Sequence, residues 1–145
     1  MIAVDTNLLV YAHREDSPFH ARAYGCLEKL ANGRVAWAVP WPCLHEFHAI
    51  VTHPRTYSPP TPIEQALDQV DAWMESPTLV LLAESGEHWP QLRTLIASSR
   101  ISGPQVHDAR IAALCLQHGV RELWSADRDF SRFPQLVVTN PLVER

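Results

Sequence analysis

Four acids in this chain stand apart from its other charges. Asp5 follows the apolar run Ile2-Ala3-Val4 and is the only charged side chain before Arg14. Glu46 is the only formally charged residue between Arg34 and Arg55, set among Cys43, Leu44, Phe47, Ala49, Ile50 and Val51. Asp108 shares a helical face with Ile111, Ala112 and Cys115, because residues three, four and seven apart lie together, so it is expected to point inward. Asp127 comes just after Glu122-Leu123-Trp124-Ser125-Ala126, past the end of an apolar strand as Asp5 does, with Asp129 two residues on. By contrast Glu64, Asp68, Asp71 and Glu75 crowd one helix and read as a solvated face.

Carboxylates gathered in one crevice repel one another and hold their protons unless a cation neutralises them. An all-oxygen set without a histidine cluster suits Mg2+ or Mn2+ and not zinc. Taken singly, each acid has a structural reading as well. Asp5 or Thr6 caps the first helix; Glu46 is a buried acid held by a histidine or an arginine; Asp108 satisfies helix-end N–H groups; Asp127 and Asp129 form a turn. The conjunction of two strand-end acids and two inward helix acids favours a shared site.

Other chemistries lack their residues. The run His45-Glu46-Phe47-His48 fails as a zincin motif, which needs its second histidine where this chain has Ala49. No G-x-x-x-x-G-K, G-x-G-x-x-G or G-x-S-x-G occurs, which removes the phosphate-loop, dinucleotide and serine-hydrolase readings. Five tryptophans offer faces for stacking on bases, but Trp37, Trp73 and Trp124 fall inside regular elements, where core packing is expected.

The elements that must position the acids follow from apolar periodicity. Strands are expected at residues 2–5, 35–39, 78–83, 122–126 and 136–139. Helices are expected over 6–13, from a Ser17 cap with Pro18 in first position to Gly33, over 40–53, over 63–76, over 87–99 and over 105–119. The helix over 63–76 is read as opening on a capping box, Thr61-Pro62-Ile63-Glu64, after a proline-stiffened loop at 54–60. Strands alternating with helices imply an α/β fold, a mainly parallel sheet covered on both faces, with active residues in the crevice at the carboxyl ends of the strands.

A length of 145 residues at 46% hydrophobic content fits a single domain spanning 1–145, without repeats or linkers. Cys26, Cys43 and Cys115 are odd in number and widely spaced, which is expected of reduced thiols in a cytoplasmic protein. No apolar stretch is long enough to span a bilayer, and no export signal is evident. The net charge of −4 argues against a phosphate-binding surface, yet without the four isolated acids the formal charge is 0. Eleven of the twelve basic residues are arginine, with Lys29 the exception, and arginine makes bidentate bonds to phosphate.

With Asp5-Thr6-Asn7, Glu46, the run HDARIAAL and the run SADRDF in hand, the chain resembles the PIN-domain family, specifically VapC-type ribonuclease toxins, over nearly its whole length. That resemblance implies a three-layer α/β/α sandwich and an acidic pocket of Asp5, Glu46, Asp108 and Asp127 around Mg2+ or Mn2+, with Asp129 as an accessory ligand. It implies polar orienting roles for Thr6, Asn7 and Ser125, the last replacing the commoner threonine, and it makes Arg110 and Arg128 candidate phosphate contacts. It further implies hydrolysis of RNA to 5′-phosphate and 3′-hydroxyl ends, a homodimer, and a VapB-type antitoxin partner. Two other readings remain open on the residues alone: a catalytically silent PIN-like module that binds RNA or a partner, and a Mg2+-dependent phosphohydrolase on a related sheet.

Overall fold

A computed structural model describes residues 1–143. Five short strands, β1 (Ile2–Val4), β2 (Trp37–Pro40), β3 (Leu79–Leu82), β4 (Glu122–Trp124) and β5 (Val137–Thr139), form one sheet in the order β3-β2-β1-β4-β5. Every pairing is parallel, with Ile2 opposite both Trp37 and Glu122. Six helices connect them: α1 (Thr6–His13), α2 (His20–Ala31), α3 (Trp41–Val51), α4 (Ile63–Met74), α5 (His88–Ser99) and α6 (Val106–Gln117). Single 3-10 turns lie at Gly103–Gln105 and Arg128–Arg132.

The layering follows from the strand order. From β1 the chain steps outward to β2 and β3, then returns past β1 to β4 and on to β5. Right-handed crossovers therefore put α1 to α4 on one face and α5 and α6 on the other, giving the three-layer sandwich. The direction of progression reverses between β1 and β4, and in open α/β sheets the ligand crevice opens at that switch, beyond the carboxyl ends of the strands. Asp5 directly follows β1 and Ser125 directly follows β4, so both stand at the switch.

The core lies between sheet and helices, with Leu8, Leu9, Trp37, Phe47, Leu95, Ile111, Leu114, Leu123, Phe130 and Phe133 nearly fully buried. On the α1 side the Phe47 ring packs edge-on to Trp73 at 4.8 Å. Cys43 and Cys115 are buried and Cys26 half-buried, all three as free thiols. Gly119 closes α6: at φ +69 it takes the left-handed turn that lets the Val120 N–H reach the Cys115 carbonyl at 2.9 Å. No helix among the described residues is long and apolar enough to cross a membrane.

Several expected boundaries differ. α2 begins at His20, not at Ser17, because Ser17 spends its hydroxyl on the Phe19 N–H (3.1 Å) in a local turn that holds Pro18 outside the helix. The Thr61 capping box does not form. α4 starts after Pro62 with no side-chain cap, and Thr61 is buried, its hydroxyl meeting His13 Nε2 at 3.0 Å and Arg14 Nη1 at 3.2 Å. A tertiary partner at the end of α1 has displaced the local one. The strands are also shorter than the apolar runs that announce them, although the Asp5 N–H still meets the Trp124 carbonyl and the Ser125 N–H the Thr139 carbonyl, each at 3.0 Å.

Candidate active site

At the end of β1, Asp5 keeps extended backbone angles while its Oδ1 accepts the Thr6 N–H at 2.8 Å, so the acid caps α1. Its other oxygen accepts a 2.6 Å hydrogen bond from Ser125 Oγ and a longer one, 3.4 Å, from Asn7 Nδ2. Asn7 also accepts the Ala126 N–H at 3.2 Å, and Ser125 accepts the Asp127 N–H at 3.0 Å. These bonds tie the tip of β4 to the first turn of α1. Beneath them the Cys43 thiol, wholly buried, donates weakly to Asp5 Oδ1 across 3.7 Å.

Asp5 is only 5% exposed. Burial raises its pKa from 3.8 to about 6, against the lowering effect of Ser125 and the Thr6 N–H, and the negative charges of Glu46 and Asp108 add to the rise. Burial also pushes the Cys115 thiol up to about 12, with Asp5 adding to it. Glu46 is half-buried, not enclosed as its apolar neighbours led one to expect, because its Oε2 turns toward the crevice and accepts from Thr6 Oγ1 at 2.9 Å. Thr6 thus serves two acids at once, its backbone N–H bonded to the capping Asp5 and its hydroxyl orienting Glu46.

The acids on the other side of the crevice come closer together. One carboxylate oxygen from each of Asp108, Asp127 and Asp129 lies within 4.8 Å of the others. Asp108 sits in the first turn of α6, and Asp127 caps the following 3-10 turn by accepting the Asp129 N–H at 2.9 Å. The pKa of Asp108 is raised by burial first, then by Asp127, Asp129 and Glu46, with Arg132 opposing. Such an oxygen-only set at this spacing fits a hard divalent cation.

The crevice therefore has two tiers: Asp108, Asp127 and Asp129 in mutual reach, with Asp5 and Glu46 set back on Thr6 and close enough to perturb Asp108 or one another. Asp129, expected as an accessory, belongs to the tighter group. Arg110 is paired: its Nε donates to Glu84 Oε1 at 2.9 Å. Arg128 is exposed beside a cleft of about 620 Å³ that Ser125 and Asp127 also line. Reading the sequence alone missed Arg132, whose Nη2 lies 3.8 Å from Asp129 Oδ1; the signal was its place three residues on, one turn away. It also missed the thiol under Asp5, which only the parallel register of β1 and β2 brings there.

The chain is similar to known proteins along nearly its whole length. The protein named ribonuclease VapC43 of Mycobacterium tuberculosis (strain ATCC 25618 / H37Rv) is 38% identical over 142 residues, spanning 98% of this chain and 96% of that protein. Ribonuclease VapC48 of the same strain is 30% identical over 137 residues, 94% of each. Among solved structures, VapBC2 from Rickettsia felis, bound to a DNA fragment from their promoter, superposes with a TM-score of 0.67 at 25% identity, covering 97% of this chain and 98% of that one. Mycobacterium tuberculosis VapC20, described as a Sarcin-Ricin loop cleaving toxin, shares the fold at a TM-score of 0.66 and 15% identity, over 90% and 93% of the two chains. A family model described as the PIN domain matches residues 2–136, and the chain belongs to the PIN domain family.

Proposed function

We propose that this protein is a Mg2+- or Mn2+-dependent endoribonuclease and the toxin of a VapBC-type toxin–antitoxin pair, acting in the cytoplasm. The observation that carries the reading is the oxygen triad of Asp108, Asp127 and Asp129 at the sheet's switch point, backed by the buried Asp5 and by Glu46. Support comes from relatives named VapC ribonucleases along nearly the whole chain and from a structural neighbour titled as a VapBC assembly. By the same likeness the protein forms a homodimer and meets a VapB-type antitoxin.

In this reading Asp5, Glu46, Asp108, Asp127 and Asp129 hold the cation. A divalent ion bound there supplies charge neutralisation for the phosphodiester and for the attacking and leaving oxygens. The chain's own residues do the rest. Ser125, Asn7 and the Thr6 N–H fix both oxygens of Asp5, and the Thr6 hydroxyl fixes Glu46, so the carboxylates need no reorganisation when substrate arrives. Glu46, half-buried and held at one oxygen by the Thr6 hydroxyl, is placed to accept the proton released as water attacks. Arg128, free of the Glu84 pairing that holds Arg110, is the phosphate contact.

The test is cleavage of total cellular RNA by the purified protein in Mg2+ or Mn2+, beside EDTA and the Asp5→Ala and Asp127→Asn variants, with the cut ends mapped. Cutting that needs the cation and disappears in both variants is expected. Cutting that persists in the variants would overturn the site, and RNA binding with growth arrest by an inactive variant would establish the silent binding module instead.

A further inference from the structure

The cleft of about 620 Å³ beside Arg128 begins where the acids end. Ser125, which donates to Asp5, and Asp127, a member of the oxygen triad, both line it. Register puts its far side at the same end of the sheet. Trp124 pairs with Thr139 and the Ser125 N–H goes on to the Thr139 carbonyl at 3.0 Å, so Asn140 comes level with Ser125 just past the carboxyl ends of β4 and β5. The floor is apolar: Phe130, Phe133 and Leu136 are buried and Val138 half-buried, while Val143, 55% exposed, supplies an apolar wall. Around this floor stand the exposed Arg128 and the half-buried Asn140. Asn140 Oδ1 accepts the Leu142 N–H at 3.0 Å, and its Nδ2 has no partner among the described residues.

Resting on the proposed ribonuclease function, we propose that this cleft is a nucleobase subsite for the RNA substrate. It takes the base next to the phosphodiester held at the triad, with Asn140 Nδ2 donating to an acceptor on the base edge. Continuity with the acids carries the assignment. Because Asp127 belongs to both places, a nucleotide whose phosphate meets the triad has its base within one nucleotide's length of the cleft. Arg128 stands at the same mouth, where the phosphate lies. A base has apolar faces and a polar edge, which match an apolar floor beside an unpaired amide donor. The volume falls inside the roughly 300 to 1,000 Å³ range of pockets that take small ligands. The charge balance points the same way: a chain of net charge −4 with one lysine draws little on general attraction for a polyanion, so burial of a base is worth more to it. A donor at Asn140 favours uracil, which carries an oxygen where cytosine carries an amino group.

The test uses the full chain and fluorescein-labelled oligouridylate of about six nucleotides, titrated in Ca2+ with the RNA verified intact, beside oligocytidylate and an all-abasic strand of equal length. Val143→Ser removes the apolar wall at an exposed position and is expected to weaken oligouridylate binding about fivefold, whereas Val143→Leu stays within about twofold of wild type. On the abasic strand all three proteins should bind alike. Wild type is expected to prefer oligouridylate to oligocytidylate about threefold. Asn140→Asp keeps an oxygen for the Leu142 N–H but exchanges the unpaired donor for an acceptor, and it should bring that ratio to one or below. The ratio cancels the charge that aspartate adds. Unchanged oligouridylate binding by Val143→Ser, or an equal loss on the abasic strand, would overturn the subsite, and if wild type still cuts cellular RNA the ribonuclease reading stands without it. So would a uridylate-to-cytidylate ratio that Asn140→Asp leaves as it was, or a change in molecular mass of Val143→Ser at matched concentration, which would make the cleft a contact between copies of the chain. If wild type neither binds the oligonucleotides nor cuts cellular RNA, the ribonuclease reading itself fails, and the subsite fails with it.

Discussion

Replacing Asp5 with asparagine should make the cation-free protein more stable at neutral pH. The folded state raises the Asp5 pKa from 3.8 to about 6, so it holds the proton more tightly than the unfolded chain does. The corresponding stabilisation is fully present below pH about 3.8 and is lost as pH rises through about 6, where the folded protein must ionise a carboxyl that is 5% exposed. At 1.36 kcal/mol per unit, the shift from 3.8 to about 6 amounts to about 3 kcal/mol, most of it lost between about pH 4 and pH 7.5. Asp5→Asn retains an oxygen for the Thr6 N–H and has no charge to bury. Urea unfolding in EDTA at fixed protein concentration, compared from about pH 4 to about pH 7.5, should therefore show the variant gaining on wild type by roughly 2 to 3 kcal/mol as pH rises. The comparison with wild type cancels the titrating groups that do not act on Asp5, leaving its burial together with the part that Glu46 and Asp108 add. Adding Mn2+ at neutral pH should reverse the order, because the cation relieves the buried charge only where there is one. A difference that stays flat with pH in EDTA would refute the reasoning, since it would mean that ionised Asp5 is fully accommodated by Ser125 and Thr6.

Three further outcomes are expected. Thr6→Val removes the donor to Glu46 while leaving the backbone cap, and RNA cleavage should fall about tenfold, with Thr6→Ser restoring it to within about threefold; full activity in the valine variant would mean Glu46 needs no orientation. Arg128→Ala should weaken RNA binding and flatten its dependence on salt by about one unit of logarithmic slope, whereas Arg110→Ala, already paired with Glu84, should change the slope little. Phe47→Ala should cost about 3 to 5 kcal/mol in denaturant unfolding, because the ring is fully buried against Trp73 and His13.

The sheet and the site were legible to different degrees. Apolar runs interrupted by proline, glycine and capping residues located every strand and helix in order, because those signals are local. What failed was also local logic overruled at a distance: Thr61 had the right sequence for a capping box and was taken instead by His13 and Arg14. The isolation of Asp5, Glu46 and Asp108 among apolar residues pointed to the crevice from composition alone. Their division into two tiers did not, since it depends on Thr6 reaching Glu46 across 40 residues and on the close approach of Asp108 to Asp127 and Asp129. The pairing of Arg110 was out of sight for the same reason, its partner Glu84 lying 26 residues earlier, beyond the end of β3.

The pairing of β1 with β4 bears on how the protein comes into being. Ser125 closes on Asp5 across 120 residues, and the central strand gains its second neighbour only when residues 122–124 arrive. A ribosome making this chain from its amino end has released Asp5 and Glu46 long before Asp108, Asp127 and Ser125 exist. The nascent chain therefore carries half a crevice on a half-paired strand, and assembly of the site waits until residues 122–129 have been made. For a protein proposed to cut RNA, that ordering keeps the transcript and the ribosome out of reach of the chain they are producing until β4 and the acid after it have emerged.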